Sequence, residues 1–190
     1  MVDTWKLRNF HQQPTTKKEI EMIYEMYEGL IKKVTAPILC DAALTEDCLH
    51  EVILRLASVL DRVGELGSKR AKAFIIVVAR HLALDMRKKR IREICVDEED
   101  ENNEVIFDEG IYDSYFIDEN GFSPEMNAYM SRLQEKDRHL LLLRYTYDLP
   151  YESIAKILGE NKNALEQRVC RARKKLEKMI MADRGKEKHG

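Results

Sequence analysis

The segment at residues 151–176 constrains the fold more than any other part of the chain; it reads YESIAKILGENKNALEQRVCRARKKL. Its first half carries an apolar stripe at helical spacing and ends at Gly159, a residue type that often caps a helix C-terminus. Asn161 can then cap a second helix, with its side chain accepting from the backbone N–H of Ala164. In that helix, apolar residues recur at i, i+4, i+7 and i+11 from Leu165. The segment therefore predicts two helices joined by a tight turn, the second burying one narrow face.

Outside that stripe, the second predicted helix is polar and basic. This arrangement is typical of a helix-turn-helix whose second helix lies in the DNA major groove. Asn, Gln and Arg near its start can pair with base edges, and later Arg and Lys can lie against phosphates. An ordinary helical hairpin with a solvated basic face is the alternative. The predicted DNA-contacting residues are Lys162, Asn163, Glu166, Gln167, Arg168, Arg171, Arg173 and Lys174.

Composition narrows the class of protein. A chain of 190 residues with 44% apolar and 35% charged residues, 8 Gly and 4 Pro is expected to form one or two soluble, mostly helical domains. The sequence has no apolar run of membrane-spanning length and no signal peptide, so a cytoplasmic location is expected. The four cysteines form no CxxC pair and no metal-binding spacing with the five histidines, so we expect reduced thiols, no metal and no cofactor.

Charge is segregated along the chain. Residues 93–122 carry 12 acidic residues and no Lys or Arg, whereas residues 1–92 carry 17 basic and 12 acidic residues, and residues 123–190 carry 15 and 10. Two basic segments flanking an acidic connector are the pattern expected of two polyanion-binding domains joined by a segment that avoids nucleic acid. The run VDEEDENNE in the connector is predicted to be disordered, as a solvated linker would be.

Helical periodicity accounts for the rest of the chain. After an N-terminal arm, residues 1–16, it predicts a helix over residues 19–34, with Pro37 either ending this helix or starting the following turn. It also predicts a second helix that opens at Thr45 and continues to Val63, and a third over residues 73–93. In the C-terminal part, Ser123 is expected to cap a helix with Pro124 at its first position. The leucine-rich residues 137–145 are expected to form the buried centre of a small bundle.

Two separate sets of motifs resemble bacterial sigma factors of the extracytoplasmic-function type. The stretches RHLLLLRY, LPYESIAKILG and ALEQRVCRARKKL are similar to region 4 of that family, and TEDCLHEVILRLASVL and KAFIIVVARHLALDMRKKR are similar to region 2. The resemblance implies an all-α fold with two small helical domains: a region 2-like domain at 1–92, a flexible acidic linker at 93–122 and a region 4-like helix-turn-helix domain at 123–190.

The resemblance also implies a function and its partners. Such a protein binds RNA polymerase core and directs promoter-specific transcription initiation, and an anti-sigma protein is a further possible partner. Its region 4 recognises the minus-35 element, and its linker threads the active-site and RNA-exit channel. The residues that match the polymerase-binding surface are Asp47, His50, Glu51, Leu54 and Arg55. Those that match the minus-10 region are Lys69, Arg70, Lys72, Arg80, His81, Asp85, Arg87 and Lys88.

Some positions depart from the family pattern. His50 and His81 replace the usual Gln and Asn, and Glu166 stands where Lys or Arg is common.

The main alternative is a helix-turn-helix regulator that acts without polymerase core, which would need a dimer to span two half-sites. An enzyme is not expected, because the sequence contains no nucleotide-binding loop, HExxH or GxSxG motif.

Overall fold

The computed structural model describes residues 17–57, 59, 65–94 and 122–187. The chain divides into two compact units, Met1–Tyr115 and Phe116–Gly190. Within the described ranges the structure is helical and contains no strand, which confirms the all-α prediction. Its α-helices are α1 (Lys17–Leu39), α2 (Ala42–Ala57), α3 (Lys69–Ile94), α4 (Pro124–Ser131), α5 (Glu135–Leu141), α6 (Tyr151–Leu158) and α7 (Lys162–Glu187).

In the N-terminal unit, α1, α2 and α3 pack against one another around a shared apolar core. Large side chains from all three helices are fully buried there: Ile23, Tyr27, Ile31, Leu49, Leu56, Phe74, Ile75 and Ile76. Burial of a side chain of this size contributes about 1.5–3 kcal/mol, so this core is the main stabilising feature of the unit.

Helix α1 continues beyond the predicted end. Pro37 lies inside its last turn, and the helix stops only at Leu39. The backbone turns at Cys40, which has a positive φ of 51° while its N–H still donates to the carbonyl of Ala36 at 2.9 Å. The expectation that Pro37 ends the helix or starts the next turn was therefore wrong, because the helix ends at Leu39, just before the left-handed Cys40.

Helix α2 begins earlier than predicted. The carboxylate of Asp41 accepts from the N–H of Leu44 at 2.9 Å, so Asp41 caps the helix. Thr45, the predicted cap, instead lies one turn inside and donates its hydroxyl to the carbonyl of Asp41 at 2.6 Å. The helix stops at Ala57. Val59 is buried beyond this end, and the predicted continuation to Val63 lies outside the described residues.

Helix α3 starts four residues before the predicted boundary. The hydroxyl of Ser68 accepts from the N–H of Ala71 at 3.1 Å and so caps the helix. Just before it, Gly67 has a φ of 86°, a conformation that favours glycine. The N–H of Gly67 donates to the hydroxyl of Tyr27 at 2.7 Å. This bond ties the loop before α3 to a buried side chain of α1.

The C-terminal unit is built around the leucine run. Ser123 caps α4 as predicted, its hydroxyl accepting from the N–H of Met126 at 3.2 Å, with Pro124 at the first helical position. Helix α5 continues into a π-helical turn, Leu142–Thr146. Leu140 and the three leucines after it are all buried, which confirms that this segment is the centre of the unit.

Two of the predicted segments lie outside the described residues. They are the N-terminal arm at 1–16 and nearly all of the acidic linker, residues 95–121. Where the structure describes the chain, none of the helices has the length and apolarity needed to cross a membrane.

Candidate nucleic-acid interface

The helix-turn-helix forms through the two capping residues identified in the sequence. Gly159 adopts a φ of 67° at the end of α6, and the N–H of Glu160 reaches back to the carbonyl of Ala155 at 3.1 Å. The side chain of Asn161 accepts from the backbone N–H groups of Asn163 at 2.9 Å and Ala164 at 3.4 Å. These bonds satisfy the helix ends that meet at the turn, and the predicted cap at Asn161 is confirmed.

Helix α7 buries its apolar stripe and exposes most of its polar side chains. Leu165, Val169 and Ala172 are buried, as the spacing predicted. The exposed residues of the predicted DNA-contacting set are Lys162, Asn163, Gln167, Arg171, Arg173 and Lys174, with Glu166 partly exposed. The start of α7 thus offers amide and ammonium groups suited to base edges, and guanidinium and ammonium groups suited to phosphates follow along the helix.

Lys162, the first residue of α7, lies between two carboxylates. Its Nζ bonds to Oε1 of Glu152, which belongs to the first turn of α6, and lies 3.7 Å from Oε1 of Glu166 in the next turn of α7. The hydrogen bond with Glu152 raises the pKa of Lys162 and lowers the pKa of the Glu152 carboxyl. Glu152 was not among the predicted site residues, because it belongs to the helix that precedes the recognition helix.

Arg168 has a different environment from its neighbours on α7. Its Nε lies 2.8 Å from Oδ1 of Asp137 in α5, and its Nη1 lies 3.6 Å from Oε1 of Glu160 in the turn. The Arg168 side chain is only 24% exposed and that of Asp137 only 19%. The prediction that Arg168 contacts DNA therefore needs correction, since its guanidinium is committed to joining α5, the turn and α7.

The π-helical turn Leu142–Thr146 contains a second paired arginine, Arg144, which was absent from the predicted set. Arg144 Nη1 donates to the carboxylate of Asp148 at 3.2 Å and to the carbonyl of Leu149 at 3.3 Å. Its guanidinium lies 5.9 Å from the ring centroid of Tyr145 and 5.4 Å from that of Tyr151. Arg144 thereby braces the backbone where Asp148 takes a positive φ of 49°. Its position in a leucine run was the available signal, because a cation there requires partners.

In the N-terminal unit, the residues predicted to contact the minus-10 region follow the length of α3. Lys69, Arg70 and Lys88 are exposed, and Lys72, Arg80, Asp85 and Arg87 are partly exposed. His81 is fully buried, with its Nε2 3.4 Å from Oδ2 of Asp85 one turn later. The prediction that His81 contacts DNA is corrected accordingly: its ring lies in the core, and only Asp85 of this pair reaches the surface.

The residues predicted to bind polymerase share one side of α2. Asp47 and His50 are exposed, and Leu54 is 59% exposed, unusually high for an apolar side chain on a packed helix. Glu51 and Arg55 form an ion pair at 2.5 Å, one turn apart.

Helix α1 contributes to the same side. The ring of His50 stacks on Tyr24, with centroids 6.2 Å apart and planes inclined by 22°. Lys32 bonds to Glu28 at 2.9 Å and to Glu46 at 2.7 Å, which links the two helices. Tyr24 was absent from the predicted set, although its helix lies beside the predicted surface.

By its fold and exposed face, the C-terminal unit is a helix-turn-helix domain of the DNA-binding class. Residues 125–176 match the family described as Sigma-70, region 4. The C-terminal unit therefore contains a sigma-70 region 4 domain, which supports the sigma-factor prediction made from the sequence.

Among solved structures, the chain is similar to the sigma factor RpoE from Bartonella quintana, determined in complex with the anti-sigma factor NepR. The two share 19% identity, and the match covers 87% of this chain and 99% of the other, with a TM-score of 0.35. No curated protein matches the chain.

Proposed function

We propose that this protein is a sigma factor of the two-domain, extracytoplasmic-function type, which recognises promoters through two separate DNA-binding surfaces. Residues 1–92 form the domain that binds polymerase core and the minus-10 element, residues 93–122 form the linker, and residues 123–190 bind the minus-35 element. The observation that carries the proposal is the region 4 match over residues 125–176, whose recognition helix exposes a polar and basic face.

The N-terminal unit binds polymerase through the exposed side of α2. The combination of an exposed Leu54 with Asp47 and the Glu51–Arg55 pair supports this role, because protein interfaces place an apolar contact among charged groups that set orientation. The ring of His50 is held against Tyr24, so the surface is partly ordered before it meets its partner.

Promoter DNA is contacted by α3 and α7. The exposed or partly exposed cations of α3, from Lys69 to Lys88, give that helix the charge expected of a surface that lies along a nucleic-acid backbone. On α7, Asn163, Glu166 and Gln167 read base edges, and Arg171, Arg173 and Lys174 anchor phosphates. Arg168 and His81 act inside their units and leave these contacts to their neighbours.

The chain acts by binding and performs no catalysis of its own. It works in the cytoplasm, where its partner RNA polymerase transcribes DNA. An anti-sigma protein would restrain it by covering either the α2 side or the α7 face.

The direct test is transcription from defined templates. Core polymerase with this protein should give run-off transcripts from genomic fragments that core polymerase alone does not transcribe. If the protein binds core polymerase but changes no template preference, the proposed function is wrong.

A charge-reversal variant tests the polymerase-binding surface. Asp47→Lys with Glu51→Lys should abolish capture of core polymerase, because like charges brought together in an interface cost several kcal/mol. The melting temperature should change little, since these are surface positions. The matched control is Glu21→Lys with Glu25→Lys, which makes the same charge change at the same i, i+4 spacing on α1. Normal capture by a folded Asp47/Glu51 variant would rule out this side of α2.

A further inference from the structure

The environment of Lys162 determines how this residue can meet DNA. It is the first residue of α7, the position in a recognition helix that reaches base edges. Its ammonium group is bonded to Glu152 of the preceding helix and also faces Glu166. The basic group at the tip of the recognition helix thus approaches DNA with two carboxylates beside it.

The Glu152–Lys162 pair is easily broken. The Lys162 side chain is 45% exposed and that of Glu152 is 61% exposed. Surface pairs of this kind contribute little to stability, so the pair does not serve mainly to hold α6 against α7. The pair instead affects which DNA groups Lys162 can bind, because the Glu152 carboxylate lies beside any group that Lys162 contacts.

A phosphate and a base edge make different demands on this pair. A phosphate bound by Lys162 would lie beside the Glu152 carboxylate, and the repulsion between these two anions disfavours that contact. An ammonium group has three donors, so Lys162 can keep its bond to Glu152 and still donate to the O6 and N7 acceptors of guanine in the major groove. The Glu152 carboxylate therefore disfavours contact with phosphates, which every duplex offers. It permits contact with a guanine edge, which only certain sequences offer.

We propose that Glu152 is a specificity-determining positioning residue, which directs Lys162 to a guanine edge in the upstream promoter element and away from phosphates. This inference rests on the proposed function, since it requires that α7 enters the major groove of promoter DNA. Under this proposal α6 contributes to base selection through Glu152, together with the recognition helix α7.

The test compares two duplexes bound by holoenzyme reconstituted from core polymerase and the full-length chain. The first is the duplex that wild-type holoenzyme selects from a pool randomised over the upstream element, and the second is a shuffled duplex of the same composition. Glu152→Gln should lower the ratio of the two affinities about 10-fold, because the shuffled duplex gains a phosphate contact that the carboxylate had disfavoured. Most of that change should come from tighter binding of the shuffled duplex, whose salt dependence should steepen by about 0.9 as Lys162 gains a phosphate.

Glu177→Gln is the matched control. Glu177 also lies in the C-terminal unit and pairs with a cation of α7, Arg173, at 3.5 Å, with both side chains 55% exposed. This variant removes the same charge and releases a cation in the same way, but far from the helix start. It should strengthen binding to both duplexes alike and leave their ratio unchanged.

A second variant shows whether Glu152 acts through Lys162. In a Lys162→Met background, Glu152→Gln should no longer change the affinity ratio, because the group it positions is gone. A ratio that still falls in that background, or one that responds equally to Glu152→Gln and Glu177→Gln, would overturn the inference while leaving the proposed function intact. Wild-type holoenzyme that selects no upstream sequence would overturn the proposed function itself.

Discussion

Replacing Arg168 with Met should destabilise the C-terminal unit, although the residue lies on the DNA-binding helix. Its Nε bonds to Asp137 at 2.8 Å and its Nη1 lies 3.6 Å from Glu160, with the side chains about three-quarters buried. A hydrogen bond to a charged group contributes about 1.5–3 kcal/mol, and Met keeps the packing of the aliphatic stem. The loss should therefore be about 2 kcal/mol, equivalent to roughly 8–16 °C in the melting temperature of a unit of this size.

Calorimetry of the full-length chain can measure this shift. The transition of the C-terminal unit should move, and that of the N-terminal unit should stay in place as an internal control. Arg171→Met is the matched variant, because it removes the same side chain and charge from an exposed position of the same helix. Its transition should shift by no more than the few tenths of a kcal/mol typical of surface changes.

The Asp137→Asn variant completes the test of this pair. If the pair is the cause, Arg168→Met combined with Asp137→Asn should be no less stable than Arg168→Met alone, because the double variant no longer leaves the Asp137 carboxylate without its partner. Equal melting of the Arg168 and Arg171 variants would refute the reasoning and return Arg168 to the DNA-contacting set.

Two further predictions concern groups beside these networks. Burial, reinforced by the charge of Arg168, lowers the pKa of Lys136 from 10.5 to about 8. Between about pH 8 and pH 10.5, Lys136 is protonated in the unfolded chain and neutral in the folded chain. Its contribution to the free energy of unfolding should therefore rise with pH across that range. Lys136→Met should remove this rise and stabilise the C-terminal unit at pH 7. Urea unfolding of both proteins at pH 7–10 measures the effect, and stability that varies with pH in the same way for both would contradict the prediction. Tyr27→Phe should cost about 1 kcal/mol through loss of the hydrogen bond from Gly67 and speed amide exchange in the loop before α3, and unchanged exchange at Gly67 would show that this bond does not hold the loop.

The sequence predicted those features that depend on residues close together in the chain. The caps at Ser123 and Asn161 and the turn at Gly159 follow from local backbone chemistry, and the stripe from Leu165 follows from helical spacing. Such features need no knowledge of what packs against them. For the same reason the helix-turn-helix, the most locally encoded part of the fold, was predicted in detail.

The errors arose where a distant residue determined the outcome. Nothing local distinguishes Arg168 from Arg171, and the difference lies in Asp137, which is 31 residues away in sequence. His81 likewise occupies a helix with many cations, and only the packing of the N-terminal unit shows that its ring lies in the core. Glu152 and Lys162 are ten residues apart, across a turn, so their contact required the angle between two helices.

The π-helical turn at Leu142–Thr146 explains how a cation is accommodated directly after the four leucines at residues 140–143. Continued as an α-helix, this segment would stack Arg144 directly over Leu140 and Leu141, both buried. The hydrogen bond from the N–H of Tyr147 to the carbonyl of Leu142, at 3.2 Å, instead spans five residues. This wider turn changes the rotational phase of the chain, and the guanidinium lies against Tyr145 and Tyr151 near the surface. The direction in which the chain enters α6 therefore depends on the π-helical turn before it, and not only on the length of the connecting segment.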